Sequence, residues 1–384
     1  MKYVICVPDG CADEPLDELG GRTPLEAASM PTLAKLAARG EVGRAAVIPE
    51  GMAPGSDVGN MSILGYDPAR YHTGRAPIEA AAMGLQLGPD EVAFRCNLVT
   101  VKGGTMVDFA GGHPSTEIAA EAIRALDAEL GAGVGADITF HPGVQYRHIV
   151  VAPHWWADAV CRPPHDLTGR AAALPEGPAA PRLIELMEAS RSVLSRFPVA
   201  ANQIWLWGQG HAPQLPPFSE VTGGLEGALC TAVDLIRGLG RLSGMDVVEV
   251  PGATGWYDTN YEGKRDAALR ALEDGADLFL LHVEATDEAG HAGDLEEKVA
   301  ALEAWDSRIL AGLVEGLDQL GPWRLLLLPD HPTPVKLRTH TTEPVPYLLV
   351  DRDVDGPGGI YSELGTADSV PVPAHRLLGK LLSR

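Results

Sequence analysis

Asp277-Leu-Phe-Leu-Leu-His-Val283 runs straight into Glu284-Ala-Thr-Asp287-Glu-Ala-Gly-His291. The first stretch is short, apolar and rich in large side chains, as expected of a strand buried within a parallel sheet. The second places Asp and His just beyond it, where an open α/β sheet binds its ligands. Working outward, similar short runs occur at 3–7, 246–250, 324–328 and 345–350. Helical patterns fit at 29–39, 225–238, 264–273 and 294–317. Strand-like runs alternating with helical ones predict an α/β fold, a mainly parallel sheet flanked by helices.

The middle of the chain reads differently. Residues 92–101 and 138–151 alternate apolar and polar side chains, which suits half-exposed antiparallel strands. Helices are predicted near 115–130 and 180–196, with a Pro/Ala/Gly-rich stretch from Ala171 to Pro181 ahead of the second. The expected organisation is a core of residues 1–80 and 205–384, with residues 81–204 inserted as a smaller α+β cap.

The chain has 384 residues, 45% of them hydrophobic, enough for a large buried core. Its formal net charge of −22 argues against nucleic acid or an anionic membrane as partner. The five cysteines are scattered and form no C-x-x-C pair, as expected of reduced thiols in a cytoplasmic protein. The apolar run before Asp9 is too short for a signal peptide, and no run approaches the roughly 20 residues of a membrane span. There is no internal repeat.

Four segments carry metal-ligand residue types at predicted strand ends. They are Asp9; Asp287 with His291; Asp330-His331; and His340 in Arg338-Thr-His340-Thr. Each alone has an ordinary reading as a cap, turn or surface residue. Together, three Asp and three His can hold two divalent ions through mixed O/N ligands, suited to Mn²⁺ or Zn²⁺ more than Ca²⁺. Ser56, in Pro54-Gly-Ser-Asp-Val-Gly-Asn60, follows a turn and opens a helical pattern, a position favourable for phosphate. Residue 54 is Pro, so the G-x-S-x-G elbow of serine hydrolases is not indicated. A P-loop and a kinase glycine-rich loop are also missing, and Cys161-Arg-Pro-Pro-His165 only approaches the sulfatase pattern.

These residues resemble the archaeal-type, cofactor-independent phosphoglycerate mutases of the alkaline phosphatase superfamily. The resemblance rests on Asp9-Gly10, Gly21-Arg-Thr-Pro-Leu-Glu-Ala27, Pro54-Gly-Ser-Asp57, Leu64-Gly-Tyr-Asp-Pro68 and Thr73-Gly-Arg75. It continues through Gly252-Ala-Thr-Gly255, Asp258-Thr-Asn260, Lys264, Asp287-Glu-Ala-Gly-His291, Asp330-His331-Pro-Thr-Pro334 and His340, nearly end to end. It implies an alkaline-phosphatase-like core and two divalent ions, Mn²⁺ foremost with Zn²⁺, Mg²⁺ or Co²⁺ as alternatives, without 2,3-bisphosphoglycerate. Asp287, His291 and His340 would hold one ion. Asp9, Asp330, His331 and the Ser56 oxygen would hold the other. Ser56 would be the nucleophile that becomes phosphoserine, and Lys264 would lie near the transferring phosphoryl group. Arg95 and Arg147 are candidate clamps for phosphate or carboxylate, since Arg offers a bidentate fork; Arg75 and His113 are further candidates.

The implied reaction is interconversion of 3-phosphoglycerate and 2-phosphoglycerate, with the cap excluding water from the phosphoserine. One departure stands out. Trp207, in Asn202-Gln-Ile-Trp-Leu-Trp207-Gly-Gln-Gly210, occupies a position where the archaeal mutases tend to carry Arg. This version, with His282-Val-Glu284 and Arg338-Thr-His-Thr341, resembles a bacterial branch proposed to be a homoserine kinase. A kinase of that kind or a metal-dependent phosphatase are the alternative readings. Two bound cations would also reconcile the acidic chain with a small phosphorylated substrate. A homo-oligomer is compatible with these features.

Overall fold

The computed structural model describes residues 1–132 and 138–383. In chain order its strands are β1 (Lys2–Pro8), β2 (Glu41–Ala46), β3 (Glu91–Lys102), β4 (Thr105–Asp108), β5 (Thr139–His141) and β6 (Arg147–Pro153). They continue as β7 (Gln203–Gly210), β8 (Gly227–Cys230), β9 (Asp246–Val247), β10 (Leu278–Val283), β11 (Trp323–Leu327), β12 (Val345–Asp351) and β13 (Val372–Pro373). The chain divides into two compact units, Met1–His72 with Leu215–Arg384, and Thr73–Gln214.

The larger unit is built on an eight-stranded sheet in the order β13-β2-β12-β11-β1-β10-β8-β9. Strand β12 runs antiparallel to both β11 and β2, while the remaining pairs are parallel. The centre is covered on both faces, which explains why its strands read as continuous apolar runs. Val4, Cys6, Phe279, Leu281, Leu325 and Leu327 pack into one core with Leu272, Trp305, Ile309 and Leu313 from the helices. Ile5, Leu280 and Leu326 point to the other face and are equally buried. Burying one such side chain contributes about 1.5–3 kcal/mol.

Some local expectations change. Residues 225–238 form strand β8 followed by the helix Asp234–Ser243, in place of one helix. The cause is tertiary: Leu229 and Cys230 pair in register with Leu280 and Leu281, burying a segment too short to declare itself. The run at 246–250 pairs only at Asp246–Val247. The helix expected over 294–317 is interrupted by a π-helical turn at Trp305–Leu310, which buries Trp305 and Asp306.

In the smaller unit, β3 is the long central strand, antiparallel to β4, β6 and β7. Its side chains alternate. Val92, Phe94, Cys96 and Leu98 join Ile123, Leu126, Leu183 and Leu186 of the helices Thr116–Leu130 and Ala180–Leu194. Ala93 packs instead with Ala76 and Ala80 of the helix Arg75–Ala82. That helix and β7 both attach to β3, so both belong to this unit. The contact division therefore falls at 72/73 and 214/215, against 80/81 and 204/205 in the sequence reading. Residues 138–151 form two strands, β5 and the start of β6, separated by a turn.

Candidate active site and metal centre

The site stands at the carboxyl ends of three neighbouring parallel strands, β10, β1 and β11. Asp9 follows β1, Asp287 lies in the first turn of the helix Ala285–Ala292 after β10, and Asp330 and His331 follow β11. Register brings these ends level: Pro8 faces Val283 and Cys6 faces Leu327. Gly10 makes the crowding feasible. Its φ of +58° suits glycine, a Cβ there would stand 2.4 Å from Asp287 Oδ1, and its N–H donates to Asp330 Oδ1 at 3.2 Å.

Three donor groups with metal-binding geometry converge there. In the first, Asp287 Oδ2 lies 3.3 Å from His291 Nε2, and Asp287 Oδ1 lies 3.4 Å from His340 Nε2. The carbonyl of Arg338, a residue held at φ +57°, lies 3.1 Å from His291 Nδ1, which turns Nε2 toward Asp287. In the second, Asp9, Asp287 and His331 come together, with His331 Nε2 3.5 Å from Asp9 Oδ1; the same nitrogen also lies 3.5 Å from Asp330 Oδ2. Asp287 and His331 also share Thr333, whose hydroxyl donates to Asp287 Oδ1 and lies 3.2 Å from His331 Nδ1. The third group, Asp9, His282 and Asp330, was not anticipated from the sequence.

Ser56 opens the helix Ser56–Ile63 and is buried, with its Oγ 3.2 Å from His331 Nε2. Asn60, one turn on, donates to Asp330 Oδ2 at 2.8 Å and to the Ser56 carbonyl at 3.0 Å. The helix can lie this close because residue 59 is glycine: a Cβ there would fall 2.1 Å from the Asp330 carbonyl oxygen. Asp57 pairs with His72 at 2.8 Å beside the same turn.

Behind these side chains is a buried hydrogen-bonded network. His282, the one polar residue within β10, is 0% exposed. Its Nε2 lies 3.4 Å from Asp9 Oδ2 and 3.8 Å from Asp330 Oδ2. Its Nδ1 lies 3.2 Å from Glu284 Oε1, which also accepts from the Thr231 hydroxyl at 3.0 Å and the Ala232 N–H at 2.6 Å. Lys264, also fully buried, pairs with Glu284 Oε2 and donates to the His282 carbonyl at 2.9 Å. The Lys264 ammonium is thus directed at Glu284 and His282. The signal for His282 was present as a polar residue interrupting the most apolar run in the chain.

The electrostatics call for cations. Burial, then the charges of Asp330 and Asp287, push Asp9 well above the usual carboxylate range. Burial also opposes ionisation of Asp330 and Asp287, but His331 and His282 around the first and His291 and His340 around the second hold both below that range. Burial would lower His291, yet Asp287 raises it to about 9. Burial lowers His331 to about 4, leaving its neutral, ligand-competent form at neutral pH. Asp9 Oδ1 and His282 Nε2 are buried without a hydrogen-bond partner. Crowded carboxylates, neutral imidazole and orphaned inward-facing atoms fit divalent cations.

Residues 37–200 match a family model described as 2,3-bisphosphoglycerate-independent phosphoglycerate mutase. A protein of that name from Methanothrix thermoacetophila is 50% identical over 92% of this chain and 92% of its own length. The chain belongs to the 2,3-bisphosphoglycerate-independent phosphoglycerate mutase family. A Geobacter sulfurreducens protein named as a probable member is 46% identical over 100% of both chains. Among solved structures, a Pyrococcus horikoshii protein superposes with a TM-score of 0.81 at 28% identity, covering 99% of this chain and 96% of its own. A cofactor-independent phosphoglycerate mutase from Thermoplasma acidophilum gives 0.66 at 26%, covering 100% and 99%.

The smaller unit of this phosphoglycerate mutase family member holds the expected substrate contacts in two groups. Arg95 and Arg75 both reach Glu79, at 2.9 Å and 4.0 Å. The Arg95 guanidinium also lies over the Trp207 ring, 4.1 Å from its centroid, and Trp207 Nε1 donates to Asn97 Oδ1 at 3.1 Å. Arg147 and His113 meet instead at Tyr146, 5.8 Å and 5.4 Å from its ring centre. Burial lowers Arg95 to about 10 despite Glu79, with Arg75 and Arg147 adding repulsion. The Trp207 ring thus holds the Arg95 guanidinium flat against its face.

Proposed function

We propose that the protein interconverts 3-phosphoglycerate and 2-phosphoglycerate through a phosphoserine at Ser56, without 2,3-bisphosphoglycerate. The observation that carries this reading is Ser56 Oγ at a helix start, 3.2 Å from His331 Nε2, within a convergent set of Asp and His ligands. Asp287, His291 and His340 would hold one ion; Asp9, Asp330 and His331, with Ser56, would hold the other. Divalent cations, Mn²⁺ foremost, supply Lewis acidity and offset phosphoryl charge when bound.

The chain's own residues do the rest. Ser56 Oγ gives up its proton and bonds to phosphorus as the phosphorus–oxygen bond to one glycerate oxygen breaks, and that oxygen takes up a proton to become a hydroxyl. The glycerate stays bound, its other hydroxyl gives up its proton as it attacks the phosphoserine, and Ser56 Oγ leaves and is reprotonated. The helix start adds backbone N–H donors for phosphoryl oxygens. Asn60 and Gly10 fix Asp330. Lys264, through Glu284 and His282, contributes its charge from behind the ligands. Arg75, Arg95, Arg147 and His113 are the proposed contacts for the substrate's anionic groups.

The homoserine-kinase alternative is not favoured, because relatives at 46–50% identity carry the mutase name, a bacterial one among them. No helix among the described residues is long and apolar enough to cross a membrane. A cytoplasmic location suits the five free cysteines, and a homo-oligomer fits the same reading. The test is incubation with 3-phosphoglycerate and Mn²⁺, coupled to enolase, with no bisphosphoglycerate added. Formation of 2-phosphoglycerate that stops on chelation is expected. Its absence with Mn²⁺, Zn²⁺, Mg²⁺ and Co²⁺ in turn overturns the reading. Label transfer from ATP to homoserine would establish the kinase, and phosphate release alone the phosphatase.

A further inference from the structure

We propose that His282 is a further metal ligand, acting with Asp9 and Asp330, with Glu284 as the carboxylate that orients it and Lys264 as the charge that makes Glu284 tolerable. This rests on the metal-centre reading above and is independent of the substrate.

The two ring nitrogens have different surroundings. Nδ1 faces Glu284 Oε1 at 3.2 Å and the Thr231 hydroxyl at 3.3 Å. A proton on Nδ1 therefore has an acceptor, which leaves the Nε2 lone pair free. Nε2 points between Asp9 Oδ2 and Asp330 Oδ2, at 3.4 Å and 3.8 Å. Oxygen and nitrogen ligands at about 2.0–2.2 Å from one cation stand roughly 2.8–3.6 Å apart, so these separations lie near or just beyond the upper end of that range. They exceed a good hydrogen bond, and Nε2 has no hydrogen-bond partner although fully buried. A histidine whose second nitrogen leans on a buried carboxylate is the usual arrangement of a protein metal ligand.

The flanking groups support the same assignment. A buried Glu284 beside two more carboxylates needs compensation, and Lys264 at 0% exposure supplies it. Thr231 and the Ala232 N–H then fix the Glu284 oxygen that faces His282. The strand itself sets the ring's direction, since Val7 faces His282 across the β1–β10 ladder.

The test strips the full-length protein with chelator and titrates it with Mn²⁺ by calorimetry, with metal content read by atomic emission. H282L should lose about 100-fold or more in affinity at one site. The site removed by H291A, run in parallel, should keep its affinity in H282L. H282D replaces a nitrogen donor with oxygen, so it should retain binding but shift preference from Zn²⁺ toward Mg²⁺. E284Q should weaken the same site by about 10-fold. Wild-type Mn²⁺ affinity at every site in folded H282L overturns the proposal. If H282L does not fold, unchanged Zn²⁺/Mg²⁺ selectivity in H282D overturns it equally. Because no substrate enters these measurements, failure here is distinct from failure of the mutase assay.

Discussion

At the residue scale, the site's chemistry depends on what each side chain is prevented from doing. Among the described residues, the histidine beside Ser56 is His331, and the nitrogen that faces Ser56 Oγ faces Asp9 and Asp330 as well. In the proposed mechanism, activation therefore falls to the set of ligands as a whole. Ser56→Ala should lower turnover at least about a thousandfold and abolish the acid-stable phosphoenzyme, while metal content stays at the wild-type level. Turnover close to wild type would remove Ser56 from the nucleophile role. Ser56 and the Asp/His cluster could be proposed from the sequence because metal-ligand residue types recurred at strand ends and Ser56 opened a helical pattern. The partner of Lys264 was not legible, since nothing local links residues 264 and 284.

At the element scale, one helix couples Ser56, the proposed nucleophile, to the sheet. The helix Ser56–Ile63 sits with its Gly59 against the Asp330 backbone, and its Asn60 bonded to the Asp330 side chain. Gly59→Ala would press a methyl into a carbonyl oxygen, since its Cβ would lie 2.1 Å away. Overpacking of this kind costs about 1–3 kcal/mol, and here the helix must lift off Asp330 to relieve it. A lower urea midpoint and a fall in kcat larger than the change in KM are expected. Wild-type values of both would show that the helix has room the geometry denies. The strands β1, β10 and β11 were readable because each is buried on both faces. Strand β8 was misread as helix, because its pairing with β10 is decided by sheet position and not by local pattern.

At the scale of the whole molecule, a buried polar network ties distant segments of the larger unit together beneath the site. Lys298 pairs with Asp13 at 2.9 Å and donates to the Thr333 carbonyl at 2.8 Å, two residues from His331. Glu363 accepts from the Asp13 N–H at 2.8 Å and from the Thr23 hydroxyl at 2.6 Å. Burial raises Glu363 from 4.5 to about 7. The folded protein thus holds this proton more tightly than the unfolded chain. Its contribution to stability is fully present below about pH 4.5 and is lost as pH rises through 7. Glu363→Gln keeps the shape without the ionisation. Relative to wild type, it should gain stability between pH 5 and 8, by on the order of 3 kcal/mol at most. Parallel melting curves of the two proteins across that range check this; a constant difference would contradict it.

The sequence by itself determined the α/β class, the residue types of the proposed metal centre and proposed nucleophile, and the resemblance to a phosphoglycerate mutase. These are carried by apolar runs and short motifs, which are properties of neighbouring residues. The tertiary structure alone decided that β10, β1 and β11 stand side by side, so that Asp287, Asp9 and Asp330 meet. It alone placed His282 between two carboxylates and set Lys264 against Glu284. It also joined the helix Arg75–Ala82 and β7 to β3. The reason is physical: strand order and register arise from burying both faces of a sheet at once, and that demand links residues hundreds of positions apart.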